Sequence, residues 1–231
     1  MNLDRFEELV NHRRATRAFK SDQIPEEVLT RLLRVSQRAP SGYNLQPVHF
    51  YVVKEVQNKE RILKPCMRQK AIQTAPAVIV FAADRDVAKN HYEKTSLQDQ
   101  EAGAISEQDR ENYRLFVDMS FSHKPLGMGW VAKAFFAPFL SLFSPTPTLA
   151  AVYKREWLST HVGLSAMTFM LAAESAGLAT CPIISFDEKR LKRALSIPRR
   201  FVVPLIVALG YPETHPPKRS RLPLEDVLHW K

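Results

Sequence analysis

Apolar positions along this chain alternate between a helical period and a strand period. Leu3, Phe6, Leu9 and Val10 share one side of a helix expected over 2–12. Pro25 suits a first helical position, with Glu26 and Glu27 in the first turn. Val28, Leu29, Leu32, Leu33 and Ser36 then continue at helical spacing until Pro40. A β-branched and aromatic run at 48–53 predicts a strand, and 55–64 a short helix. The uninterrupted apolar run 77–83 has the length of a fully buried strand. Residues 85–121 are polar and helix-like. The pattern over 155–176 predicts the longest helix, with Trp157, His161, Leu164, Met167, Thr168, Leu171, Ala172 and Ser175 on one side and Gly177 as its stop. A short strand at 180–184, a helix at 188–195 capped by Asp187, and a buried strand at 201–209 complete the core elements. The last twenty residues form an extended, proline-marked arm with no core of its own, which calls for another surface such as a second subunit.

Two stretches break the periodicity. Residues 39–50 read Ala-Pro-Ser-Gly-Tyr-Asn-Leu-Gln-Pro-Val-His-Phe, too rich in Pro, Gly and small polar residues for a helix or central strand. Taken alone this is an ordinary helix-to-strand loop; set between two core elements, it can also present backbone groups to a ligand. Residues 124–151 are aromatic, nearly uncharged and interrupted by Pro138, Pro145 and Pro147. Those prolines argue against a membrane span. A flap over a site is the favoured reading, and an apolar contact with lipid or a partner through 130–143 is the other.

At 231 residues and 45% hydrophobic composition the chain is one globular domain. It has no apolar leader at its start, so a cytoplasmic protein is expected. Cys66 and Cys181 are isolated, which argues against a metal or disulfide framework. The formal charge of +9 admits nucleic acid, a membrane surface or an anionic ligand as partner. The basic residues are dispersed and accompany no nucleic-acid module, so no nucleic acid is expected.

The candidate chemistry starts at Arg13-Arg14-Ala15-Thr16-Arg17. In an extended segment Arg13 and Arg17 point the same way and can converge on one anion; the plain alternative is a solvated basic turn. Arg219 and Arg221 form a second basic cluster, and a phosphate between the two clusters would explain both. No nucleophile elbow, P-loop, zinc-protease helix or dinucleotide-binding glycine motif occurs. His161 reads as a satisfied core or interface residue rather than a ligand. A redox cofactor suits this absence of acid–base machinery, because it carries the difficult chemistry itself.

Five short motifs in order resemble the FMN-dependent nitroreductase family: the segment 13–19, the loop 39–47, Ala75-Pro76 with the strand after it, the stretch 177–187, and 204–212 followed by 219–223. The resemblance covers nearly everything but about 85–150. It implies an α+β fold, a mixed and mostly antiparallel sheet wrapped by helices, in an obligate homodimer. One domain would span 1–231, with a variable lid insert at about 85–150 and a C-terminal dimer arm at about 211–231. It further implies a ping-pong NAD(P)H oxidoreductase, with NADH or NADPH as donor, that reduces nitroaromatics, quinones or similar small, flat, oxidised compounds.

By the same resemblance, Arg13 and Arg14 hold the FMN phosphate, and Arg17 sits by the flavin pyrimidine. Pro40, Ser41 and Gly42, with Asn44 in the same motif, reach the flavin across the dimer. Gln69 reads the flavin's amide edge, and Pro182, Ile183, Ile184 and Ser185 form the loop facing N5. Arg219 and Arg221 complete the phosphate site. There are two departures. Ala15 stands where the family often has Ser, which removes a hydroxyl, and Ser185 stands where it often has Gly. A hydroxyl near N5 is shared with reductive dehalogenases, which leaves a dehalogenase-like flavoenzyme as one alternative. A non-catalytic flavin or membrane-surface protein is another.

Overall fold

The structure is a computed structural model that describes residues 2–121 and 154–231. The expected lid at 124–151, and the lipid-contact alternative at 130–143, lie outside the described residues. Four strands form one sheet: β1 (Val48–Val53), β2 (Ala77–Asp84), β3 (Ala179–Ile183) and β4 (Phe201–Gly210). Their spatial order is β1-β2-β4-β3, with every pair antiparallel. Outside β3 the N-terminal segment adds one parallel bridge, Ala15 to Thr180. The sheet is therefore antiparallel, with a single parallel contact at its edge.

Eight helices surround it among the described residues. They are α1 (Leu3–His12), α2 (Glu26–Gln37), α3 (Val56–Leu63), α4 (Lys70–Thr74), α5 (Val87–Glu101), α6 (Glu107–Phe121), α7 (Lys154–Ser175) and α8 (Glu188–Ala194). Two caps anticipated from sequence are formed: the Asp187 carboxylate accepts from the Arg190 N–H at 2.9 Å, and Gly177 takes φ +71° beyond α7.

Strand periodicity explains the layering. On β2, Val78, Val80 and Ala82 face one core with Ile62, Ile72 and Leu191, while Ala77, Ile79, Phe81 and Ala83 face the other with Leu29, Leu32, Leu158 and Phe169. Both faces are covered by helices, so β2 shows no hydrophobic alternation in sequence. A smaller cluster of Leu45, Val87, Tyr92, Val117 and Phe121 fastens α5 and α6 onto the 39–46 loop.

The crossing of β4 near α4 is close. A Cβ on Gly210 would lie 2.5 Å from Pro76 Cδ and 3.0 Å from Phe19 Cδ1. The proline ring cannot rotate away, so Gly210→Ala should lower stability by about 1–3 kcal/mol in denaturant unfolding.

The end of β2 carries a buried carboxylate. Asp84 accepts from the Asp86 N–H at 2.9 Å, from Asn90 Nδ2 at 2.7 Å and from Arg200 Nε at 3.2 Å. Burial pushes its pKa up, but these donors outweigh it and hold the carboxyl below the ordinary carboxylate range. A depressed folded pKa means stability that is present above the unfolded value and lost as pH falls through the folded one. Asp84→Asn should therefore cost about 1–3 kcal/mol at neutral pH. The gap from the parent should close below about pH 4, read by thermal unfolding across pH.

Two elements differ from expectation in what they bury. The long helix α7 buries Leu158, His161, Val162, Ser165, Ala166, Phe169, Met170 and Ala173, whereas Leu164 and Met167 are exposed. The helix is apolar nearly all round, so periodicity alone selects between two faces, and the chain covers only one. Helix α1 has the expected apolar side, yet buries none of its residues. Among the described residues no helix is long and apolar enough to cross a membrane, and no group of three or more His, Cys, Asp or Glu side chains could hold a metal.

Candidate functional site

Several of the residues singled out in the sequence meet along β3. The Thr16 N–H donates to Thr180 O at 2.9 Å, which holds the arginine segment against the sheet edge. Thr16 is buried while Ala15 and Arg17 on either side are exposed, the alternation of an extended chain. Arg17 is close enough to Cys181 to oppose, in part, the upward shift that burial gives that thiol.

Two polar atoms here are buried without a partner among the described residues: Arg13 Nε and Thr180 Oγ1. A desolvated donor with no acceptor is costly, and an anion against this segment would satisfy it. Arg14 behaves differently. Its guanidinium folds back on the carbonyls of Asn11 and, at 2.8 Å, Arg13, so it closes the C-terminal end of α1.

Beyond β3 the loop of Ile184 and Ser185 turns outward, with Ile184 77% exposed. It is tied at two points to the turn before α4. Gln69 Nε2 donates to Ser185 O at 2.8 Å, and the Asp187 N–H donates to Pro65 O at 2.9 Å. Met67 and Arg68 precede Gln69 in the left-handed region, φ +55° and +50°, a conformation non-glycine residues hold only when their surroundings require it. Arg13, Arg14, Ala15, Arg17, Gln69 and Pro182–Ser185 thus border one edge of the sheet.

The loop with Pro40, Ser41, Gly42 and Asn44 forms a second group. Leu45 is fully buried and anchors it. The Gly42 N–H donates to His161 Nε2 at 2.9 Å, and His161 Nδ1 donates to Trp157 O at 2.6 Å. Both ring nitrogens are therefore used and the imidazole is neutral; burial also holds its pKa below the usual value. Asn44 Nδ2 reaches both Asp99 oxygens at 2.9 and 3.0 Å, and Ser41 Oγ accepts from the Gln46 N–H at 2.9 Å. These ties hold three left-handed residues, Tyr43, Asn44 and Gln46. Tyr43 turns its ring edge-on to Tyr113 of α6 at 6.0 Å.

His161 is the satisfied, buried residue expected from the sequence, but sequence reasoning missed that it and Asp99 support this loop. They lie far from it in the chain, and no local spacing announces such a contact. The arm places Arg219 and Arg221 in the open. Among the described residues Arg221 donates only to its neighbour's carbonyl, Ser220 O, at 2.9 Å. The arm does run beside the end of α1, where His215 and His12 rings are 5.6 Å apart.

The site can be set beside known proteins. "NADH dehydrogenase" of Thermus thermophilus is 28% identical over 219 residues, covering 95% of this chain and 92% of its own length. "Iodotyrosine deiodinase" of Thermotoga neapolitana is 28% identical over 218 residues, covering 93% and 92%. The FMN complex of a nitroreductase homologue from Exiguobacterium sibiricum superposes with a TM-score of 0.77 at 22% identity, covering 98% and 97%. The model of the nitroreductase family matches residues 10–211, from just before the arginine segment to the close of the last strand. This chain belongs to the nitroreductase family.

Proposed function

We propose that the protein is an FMN-dependent NAD(P)H oxidoreductase, a homodimer that reduces nitroaromatics, quinones or similar small, flat, electron-poor compounds. The observation that carries this reading is that Arg13 Nε and Thr180 Oγ1 are each buried without a partner among the described residues, Arg13 on the cationic segment that bridges through Ala15 to Thr180 at the sheet edge. A phosphate supplies the acceptors that this cradle lacks. The name and FMN complex of the relatives described above support the same assignment.

FMN, when bound, supplies two-electron transfer between a nicotinamide donor and an oxidised acceptor. The chain's own residues position it and tune it. Arg13 offers the phosphate a preorganised fork, and Arg219 and Arg221 join it from the arm. Arg14 acts chiefly by holding the end of α1, which fixes where Arg13 begins. Arg17 is a fixed cation near the pyrimidine end, where reduction deposits negative charge. Gln69 donates through Nε2 to Ser185 O, which leaves its Oε1 free to accept from an amide edge. The same bond sets the direction of the Ile184–Ser185 backbone. Ile184 and Met67, 77% and 65% exposed, give the approach an apolar border.

The dimer reading rests on apolar surface that one chain leaves uncovered. Leu3, Phe6 and Val10 on α1, Leu164 and Met167 on α7, and Leu222, Leu224 and Trp230 on the arm are all exposed. Gly163 lies among the α7 residues with open space at its Cβ position, which allows a second helix to approach closely. Pro40–Asn44 then face the flavin of the second copy.

The test is direct. Purified protein should be yellow, release FMN on denaturation, and oxidise NADH or NADPH with a quinone or nitroarene as acceptor. Colourless protein that takes up no added FMN would end this reading. A second reading, reductive dehalogenation, is favoured by Ser185 in the N5 loop and by the deiodinase relative. Halide release from a halotyrosine, faster than quinone reduction, would select it.

A further inference from the structure

The turn between α3 and α4 is tightly held. The Met67 N–H donates to Lys64 O at 3.1 Å, the Arg68 N–H to Leu63 O at 2.8 Å, and Gln73 Nε2 to Arg68 O at 2.7 Å. These bonds fix Met67 and Arg68 in their left-handed conformation and leave both residues exposed. The Asp187 N–H, bonded to Pro65 O, brings the start of α8 against the same turn. Lys64, Arg68 and Lys189 thereby share one rim, and all three are exposed.

The free charge on this rim is positive. No aspartate or glutamate occurs from 61 to 70 or from 176 to 186. The two carboxylates at the start of α8 are committed elsewhere. Asp187 accepts from the Arg190 N–H at 2.9 Å and pairs with Arg190 Nε at 3.4 Å. Glu188 accepts from the Val203 N–H at 3.0 Å and pairs with Arg155 at 2.9 Å and Lys192 at 3.5 Å. Among the described residues Lys64, Arg68 and Lys189 are in no ion pair. Two ties join the rim to the Ile184–Ser185 loop: Gln69 to Ser185 O, and Asp187 to Pro65 O.

We propose that this rim receives the 2′-phosphate of the electron donor, so that NADPH is preferred to NADH. The inference rests on the flavin reading above, in which Met67 and Ile184 border the approach. NADH and NADPH share one nicotinamide and differ by a single phosphate, so contacts at the transferred hydride cannot tell them apart. Discrimination falls to cations set away from the flavin, as an arginine accommodates the 2′-phosphate in other nucleotide sites. The FMN phosphate takes Arg13, and the rim is left for this second phosphate. Arg68 offers a planar fork, while Lys64 and Lys189 add point charges. Arg68 dominates, because both of its backbone groups are already bonded and its position is set before the donor arrives.

Binding and turnover test this separately. Adenosine 2′,5′-bisphosphate carries the donor's 2′-phosphate without its nicotinamide, and AMP lacks that phosphate. Titrated calorimetrically into the FMN-loaded protein, the bisphosphate should bind about tenfold more tightly than AMP, the gain of a charge-assisted contact. That advantage should vanish in Arg68→Gln/Lys189→Gln and persist in part in Arg68→Lys, which keeps the charge but loses the fork. In the parent it should also shrink as salt rises from about 0.01 to about 1 M. With one quinone as acceptor, the kcat/KM ratio of NADPH to NADH should fall about tenfold from the parent to Arg68→Gln/Lys189→Gln. FMN-loaded protein that oxidises NADH as readily as NADPH, or binds the bisphosphate no better than AMP, overturns this inference and leaves the flavin reading standing. A preference that survives Arg68→Gln/Lys189→Gln undiminished does the same. Protein that binds no FMN ends both.

Discussion

Replacing Arg13 and Arg17 together with alanine is expected to weaken FMN retention by about 10²–10⁴-fold while leaving the fold intact. Each charge-assisted contact is worth about 1.5–3 kcal/mol, and every 1.4 kcal/mol is about tenfold. Arg13 should dominate, because its Nε is already desolvated and has no partner among the described residues. Arg17 is exposed and partly screened by solvent. Neither side chain carries a described hydrogen bond that the fold depends on, so circular dichroism should not change. The measurement is the flavin-to-protein ratio after gel filtration, followed by fluorescence titration of the apoprotein with FMN. Arg14→Ala is the internal contrast. Its guanidinium is spent on the Asn11 and Arg13 carbonyls, so it should lower thermal stability more than cofactor affinity. Full retention of FMN by the Arg13/Arg17 variant would place the phosphate elsewhere.

Leu164→Asp combined with Met167→Asp is expected to convert the proposed dimer to monomer and release the flavin with it. These side chains are 42% and 37% exposed in the single chain, so the substitutions cost little in an isolated subunit. Across a helix–helix contact the same two carboxylates would be buried without partners, at several kcal/mol each. That moves the dimer dissociation constant by at least about 10³-fold. Sedimentation velocity reads the mass and absorbance reads the flavin in one experiment. A variant that stays dimeric would remove α7 from the interface. A variant that becomes monomeric yet keeps its flavin would confine the cofactor site to one chain.

The sequence specified local structure well wherever one force set the period. The buried strands, the Asp187 cap and the Gly177 stop follow from residue chemistry over a few positions. The extended character of the arginine segment was legible too: Thr16 is the buried residue between exposed Ala15 and Arg17. Helix α7 was harder. A helix apolar on two sides has no single amphipathic direction, so the face toward Leu164 and Met167 reads as core when it is the face left open. The supports of the 39–46 loop were not legible at all. The bond from Gly42 to His161 links residues on different elements, and the left-handed backbone at Tyr43, Asn44 and Gln46 belongs to residues that carry no glycine signal. The cationic rim of Lys64, Arg68 and Lys189 was equally hidden, since scattered cations mean nothing until the bond from Asp187 to Pro65 brings two distant segments together.

The bridge between Ala15 and Thr180 also bears on the order of assembly. It joins the first twenty residues to a strand in the last quarter of the chain. During synthesis the arginine segment emerges early, but its edge exists only after β3 has docked on β4, which is itself later in the chain. Contacts this distant in sequence form late, because a long loop must close before they give any return. The newborn chain therefore exposes a cationic ribbon with nothing to lie against until its far end arrives. With the flavin held on this segment as proposed, its capture is a final event that joins the two ends, and cofactor added during refolding should speed the last phase and leave the first unchanged.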